Sequence, residues 1–124
     1  MTTQHQPDPA AEAVLRHTAD LLAQVLLETA SAAAPFPTFY GSEVIKALEL
    51  ETPAGYPDRG CVVVCPDGRL YELDIGLIPG PPTVGGVDGV ELFRDLDLPP
   101  AEYITYACLA IRALSEGLSQ QLSP

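Results

Sequence analysis

Residues 61–75 read CVVVCPDGRLYELDI, and this stretch is typical of a β-hairpin. Two apolar runs flank the turn residues Pro66, Asp67 and Gly68. Proline has no N–H to donate, so a two-residue Asp-Gly turn would put Pro66 at a strand position where a donor can be required. A three-residue loop instead places Pro66 and Asp67 in a type I turn and Gly68 in the left-handed conformation. The sequence therefore predicts a three-residue hairpin loop.

This loop fixes the register of the hairpin and the face on which each side chain lies. Cys65 is expected opposite Arg69, Val63 opposite Tyr71, and Cys61 opposite Leu73. Successive strand residues point to opposite faces. One face then carries Cys61, Val63, Cys65, Tyr71, Leu73, Ile75 and Leu77, with Arg69 at its turn end. The other face carries Val62, Val64 and Leu70, followed by Glu72 and Asp74.

Two amphipathic helices are expected on either side of the hairpin. Between Ala10 and about Ala33 apolar residues recur at helical spacing with no internal glycine or proline, and Pro35 follows. Pro99 and Pro100 open a second helix, whose apolar stripe runs through 104–118.

The segment 43–51 has two interpretations. Alternation of Val44, Leu48 and Leu50 with glutamates suits a strand, whereas Ser42 as an N-cap suits a short helix. We favour the strand because two further strands follow and need a neighbour. Residues 52–60 and 79–89 are rich in proline and glycine and predict loops, and 91–97 suits a short helix or strand.

Together these elements predict a single α+β domain over residues 10–124, preceded by a flexible leader over 1–9. The expected order is α-β-β-β-α, with an antiparallel three-stranded meander packed against two helices.

The charge balance restricts the classes of partner. Seventeen acidic residues against six basic ones give a formal net charge of −11. Such a surface repels phosphate backbones and anionic lipid heads, and no apolar run approaches the roughly 20 residues that span a bilayer. We expect no nucleic-acid or membrane partner. A basic protein or a metal ion stays compatible, although solubility alone also explains such a charge.

The N-terminal residues and the cysteines indicate a cytoplasmic protein. Residues 1–10 are polar and lack the regions of a secretory signal, and three cysteines make an odd number. Cys61 and Cys65 lie on the same face of an extended strand with Cα atoms about 13 Å apart, too far for a disulfide or a shared metal. We expect free, mostly buried thiols.

No catalytic signature accompanies these elements. His17 has no H-E-x-x-H motif, Ser42 lacks both glycines of G-x-S-x-G, and the glycines of 80–89 precede no phosphate-loop Lys-Ser/Thr pair. Acidic residues between Asp88 and Glu102 do not have EF-hand spacing. The sequence favours a protein that is not an enzyme and that uses no cofactor or metal.

We therefore predict a cytoplasmic interaction or adaptor protein that forms a homodimer or binds another protein. If the helices cover the Cys61 face of the sheet, the other face offers an apolar surface, and aromatic residues of the connector extend it. This predicted interface comprises Phe36, Phe39, Tyr40, Val62, Val64 and Leu70, with Ile45 beside it. Coverage of the same face by the loop 79–97 is an equally good interpretation.

A second hypothesis is a small-ligand-binding domain or minor enzyme. Its pocket would lie between the 79–97 loop and the C-terminal helix, lined by Arg94, Tyr103 and Tyr106.

Overall fold

A computed structural model describes residues 8–39, 45–74 and 93–122, with side chains to residue 117, and shows two helices and a four-stranded antiparallel sheet. The elements in chain order are α1 (Pro9–Ala32), β1 (Leu48–Leu50), β2 (Val62–Val64), β3 (Leu70–Leu73), β4 (Phe93–Asp95) and α2 (Pro100–Leu122). The strands follow the same order across the sheet. The predicted α+β class is confirmed, and β4 adds a fourth strand to the three that were expected.

The hairpin of β2 and β3 has the predicted loop and register. Val63 pairs with Tyr71, and the Cys65 N–H donates to the Arg69 carbonyl at 3.1 Å. Gly68 has a φ of +76°, in the left-handed region. The Asp67 carboxylate accepts from the Arg69 N–H at 2.9 Å and from the Tyr71 hydroxyl at 2.6 Å. The second of these bonds is the main reason that the pKa of Tyr71 rises to about 12.

The segment before the hairpin forms a strand over 48–50, and Lys46 makes an isolated bridge with Thr38. Leu48 pairs with Val64 and Leu50 with Val62, which confirms the strand interpretation for 48–50. Positions 43 and 44 lie outside the described residues. The helix α1 begins at Pro9, one residue earlier than expected, because Asp8 caps it by accepting from the Ala10 N–H at 3.2 Å.

The two helices cover the face of the sheet opposite to the one expected. Their buried residues Leu26 and Tyr106 belong to the same core cluster as Val62, Val64 and Leu70. The expectation was wrong because all three residues of β2 are fully buried, so its pattern does not distinguish the two faces. The acidic residues that follow Leu70 on this face suggested that the face is exposed to solvent. Glu72, however, forms an ion pair at 3.2 Å with Arg94 on neighbouring β4.

The other face of the sheet carries a second buried cluster. It includes Ile45, which the sequence placed with Val62, and the Tyr71 and Phe93 rings meet edge to face with centroids 5.7 Å apart. The buried members are Phe39, Ile45, Ala47, Val63, Cys65 and Leu73. Both faces of the sheet are therefore buried within this chain.

Candidate functional site

The residues predicted to form an interface lie in the interior. Val62 and Val64 have no exposed surface, and Leu70 and Phe36 are buried beside them in the core under the helices. Phe39 is buried in the cluster on the other face, and Tyr40 lies outside the described residues. The prediction of an open surface at these positions is corrected, because the chain itself covers them.

An exposed apolar stripe lies instead on α1. Val14, Leu21 and Val25 are 63%, 55% and 43% exposed. Thr18 falls between them, and its hydroxyl donates to the Val14 carbonyl at 2.8 Å, so its polar group is directed to the helix backbone. We call Val14, Thr18, Leu21 and Val25 the outer stripe.

The sequence contained a signal for this stripe that periodicity alone did not resolve. Apolar residues of α1 occur as adjacent pairs, in which the second members Leu22 and Leu26 pack against the core while the first members Leu21 and Val25 stay exposed. Neighbouring positions on a helix differ by about 100°. Adjacent pairs therefore mark two apolar stripes, of which only one reaches the core.

An open groove with a volume of about 780 Å³ runs along another side of α1. Its walls are α1, the hairpin loop, and residues 95–98, which lead from β4 to α2. Its apolar part is Ala19, Ala23, Leu27, Leu70, Leu96 and Leu98. Its polar part is Arg16, Asp20, Gln24, Asp67, Arg69, Asp95, Asp97 and Tyr103.

Acidic groups dominate the polar part of this groove. Asp20, Asp95 and Asp97 are exposed, and none makes an ion pair with a described arginine or lysine. Tyr103 is half-buried among them. Burial is the larger cause that raises the pKa of its hydroxyl, and the negative charge of nearby Asp20 is the smaller one.

Only one of the three residues predicted to line a pocket lies in this groove. Tyr103 lines it, whereas Arg94 pairs with Glu72 and Tyr106 is fully buried in the core. The loop residues 79–92 of the predicted pocket lie outside the described residues. The sequence therefore identified the lining residue that α2 contributes and missed the wall formed by α1, because nothing in the pattern showed which side of α1 faces the hairpin loop.

A partly buried ion pair joins the loop 52–60 to the first turn of α2. The Arg59 guanidinium donates from Nε and Nη2 to the two Glu102 oxygens, each at 2.8 Å. These bonds lower the pKa of Glu102, a carboxylate that is only 4% exposed. Both partners are occupied by each other, so the pair is suited to anchoring the loop rather than to proton transfer.

Two of the three cysteines are arranged for packing, whereas Cys108 is exposed on α2, contrary to the expectation of mostly buried thiols. All three are free, and Cys61 and Cys65 flank Val63 in the cluster on the second face. Burial raises the pKa of Cys61 to about 11 and that of Cys65 to about 12, which keeps both as poorly nucleophilic thiols. Within 8–39, 45–74 and 93–117 no three His, Cys, Asp or Glu side chains are spaced to hold a metal ion.

No helix in the described part of the chain is both long and apolar enough to cross a membrane. Comparison of the chain with models of protein families, with curated proteins and with solved structures gives no match.

Proposed function

We propose that this chain is a non-enzymatic cytoplasmic interaction protein that forms a homodimer through the outer stripe of α1. The observation that carries the proposal is the exposure of Val14, Leu21 and Val25 on a helix whose other apolar stripe already packs in the core. Exposed apolar residues are ordinary singly, but three aligned on one helix face form a continuous apolar strip that a partner can bury.

The spacing of the outer stripe favours a helix as its partner. Its residues follow one another at steps of four, three and four, the spacing with which one helix presents a continuous seam to another. Thr29, one turn beyond Val25, also donates its hydroxyl to a backbone carbonyl, at 2.8 Å. Because the hydroxyls of Thr18 and Thr29 are bonded to the helix backbone, their methyl groups are available to pack against a partner helix.

A second copy of α1 meets this requirement. The same seam on two copies generates an isologous, two-fold interface in which each Leu21 packs against the partner's stripe. The stripe is small compared with the roughly 800 Å² per partner of a stable interface, so the dimer is expected to dissociate readily in the micromolar range or above.

Sedimentation equilibrium over a range of protein concentrations tests this proposal. The wild-type mass is expected to rise from 13.1 kDa towards twice that value. Leu21→Glu should weaken the dimer at least about tenfold, since it puts two carboxylates into the seam. Ala13→Glu is the matched control, because it adds the same charge at an exposed position on another side of α1.

Two outcomes would count against the dimer. A mass of one chain at every concentration would exclude it. Equal weakening by Ala13→Glu would show that added charge, not the outer stripe, governs association.

A further inference from the structure

We propose that the groove beside α1 binds a short, extended, basic peptide segment of a partner protein. This goes beyond dimer formation, since the groove lies on a different side of α1 from the outer stripe. The inference rests on three properties of the groove: its length, its apolar floor and its net acidic rim.

The length of the groove suits a peptide better than a small metabolite. Its α1 wall runs from Arg16 to Leu27, which is about 16 Å at the rise of an α-helix. An extended peptide advances about 3.3 Å per residue, so about five residues fill this length. The hairpin loop closes the Leu27 end, where a side chain at Gly68 would come within 2.6 Å of the Leu27 Cα.

The floor can take the aliphatic parts of such a peptide. Leu27 is 41% exposed, and Leu96 and Leu98, which are partly buried against the core, also line the groove. Lysine and arginine stems bury well along leucine surfaces of this kind while their charged ends stay at the rim.

The rim selects a basic segment. Asp95 and Asp97 alternate with Leu96 and Leu98 along one wall, and Asp20 stands on the α1 wall. Two arginines also line the groove. Arg16 lies 3.7 Å from Glu12, whereas the Arg69 guanidinium makes no ion pair with a described carboxylate. Four aspartates against these two arginines leave the lining net acidic. The carboxylates of Asp20, Asp95 and Asp97 remain without ion-pair partners among the described residues and are free to receive cations.

The backbone of the same wall adds directional groups. Residues 96–98 continue from the edge strand β4, belong to no helix or strand, and make no backbone hydrogen bond with the described residues. The Tyr103 side chain likewise makes no hydrogen bond with the described residues, so its hydroxyl can donate to a peptide carbonyl. A bound segment can thus pair its main chain with 96–98 while its side chains reach the carboxylates.

Fluorescence anisotropy with a labelled pentapeptide of alternating lysine and leucine tests this inference on the full chain. We expect saturable binding, and no binding of the same peptide with glutamate in place of lysine. The double variant Asp20→Asn, Asp97→Asn should lose at least tenfold in affinity. The double variant Glu51→Gln, Glu116→Gln, which removes two exposed charges outside the groove, should change affinity by less than twofold.

The remaining arms separate this site from the alternatives. The Leu21→Glu variant should bind the peptide with the affinity of the wild type. Peptide binding is therefore expected even if the chain does not form the proposed homodimer. Equal losses in the Asp20/Asp97 and Glu51/Glu116 variants would overturn the proposal in favour of general charge attraction. Binding of spermidine with no binding of the lysine–leucine peptide would overturn it in favour of a small cation.

Discussion

Gly68 shows how one residue joins the hairpin to the helix layer. Its φ of +76° is unfavourable for residues with a Cβ, and an added Cβ would lie 2.6 Å from the Leu27 Cα on α1. Gly55 has a similar φ of +87° with nothing within 4 Å of an added Cβ. Comparing substitutions at Gly68 and Gly55 therefore separates the cost of backbone strain from the cost of steric contact with α1.

We predict that Gly68→Ala lowers the free energy of unfolding by roughly 2–5 kcal/mol, and that Gly55→Ala lowers it by roughly 1–2 kcal/mol. The reason for the difference is the α1 backbone, which cannot yield as a flexible side chain would. Urea unfolding monitored by circular dichroism measures both values. Equal losses for the two variants would mean that the hairpin loop does not press on α1.

At the scale of elements, the ion pair of Arg59 and Glu102 links a loop to α2, and its contribution depends on pH. The pKa of Glu102 is lowered from its ordinary value of 4.5 in the folded state, chiefly by the hydrogen bonds from Arg59. The stabilisation is therefore complete above about pH 4.5 and is lost as the pH falls through the lowered pKa.

We predict that Glu102→Gln is less stable than the wild type at neutral pH and that this difference shrinks below pH 4.5. Urea midpoints between about pH 3 and pH 7 measure it. Glu116→Gln serves as control, because Glu116 lies 3.7 Å from Arg112 with both side chains largely exposed. A difference that stays constant with pH would contradict the assigned role of the Glu102 carboxylate.

How far the elements could be predicted depends on how much local sequence constrained each one. The Pro66-Asp67-Gly68 loop was predictable because proline and glycine each permit few backbone conformations. The strand β4 has only three residues, too few for a period to distinguish strand from helix in 91–97. The face that the helices cover was not predictable, because Val62, Val63 and Val64 are alike and tertiary packing decides between them.

The candidate sites were less predictable than the fold, since both depend on how α1 is oriented. Tyr103 was identified as a lining residue because it lies near the start of a helix whose position was already expected. Asp20 and Leu27 join it in the groove only because α1 packs beside the hairpin loop. Single-chain periodicity contains no information about that contact.

For the whole molecule, the net charge of −11 acts in opposite directions on the two proposed contacts. Two copies that approach each other repel, whereas a basic peptide that approaches the groove is attracted. Salt screens both effects, with a Debye length of about 30 Å at 0.01 M and about 10 Å at 0.1 M.

We therefore predict that raising NaCl from about 0.01 M to about 0.15 M strengthens the homodimer and weakens peptide binding. Sedimentation equilibrium and fluorescence anisotropy on the same protein measure the two trends. The apolar outer stripe makes no charge pairs of its own, so screening removes only the repulsion between protomers. The groove binds through Asp20, Asp95 and Asp97, so screening removes attraction there. Weakening of the dimer by salt would mean that ion pairs, not the outer stripe, hold the two copies together.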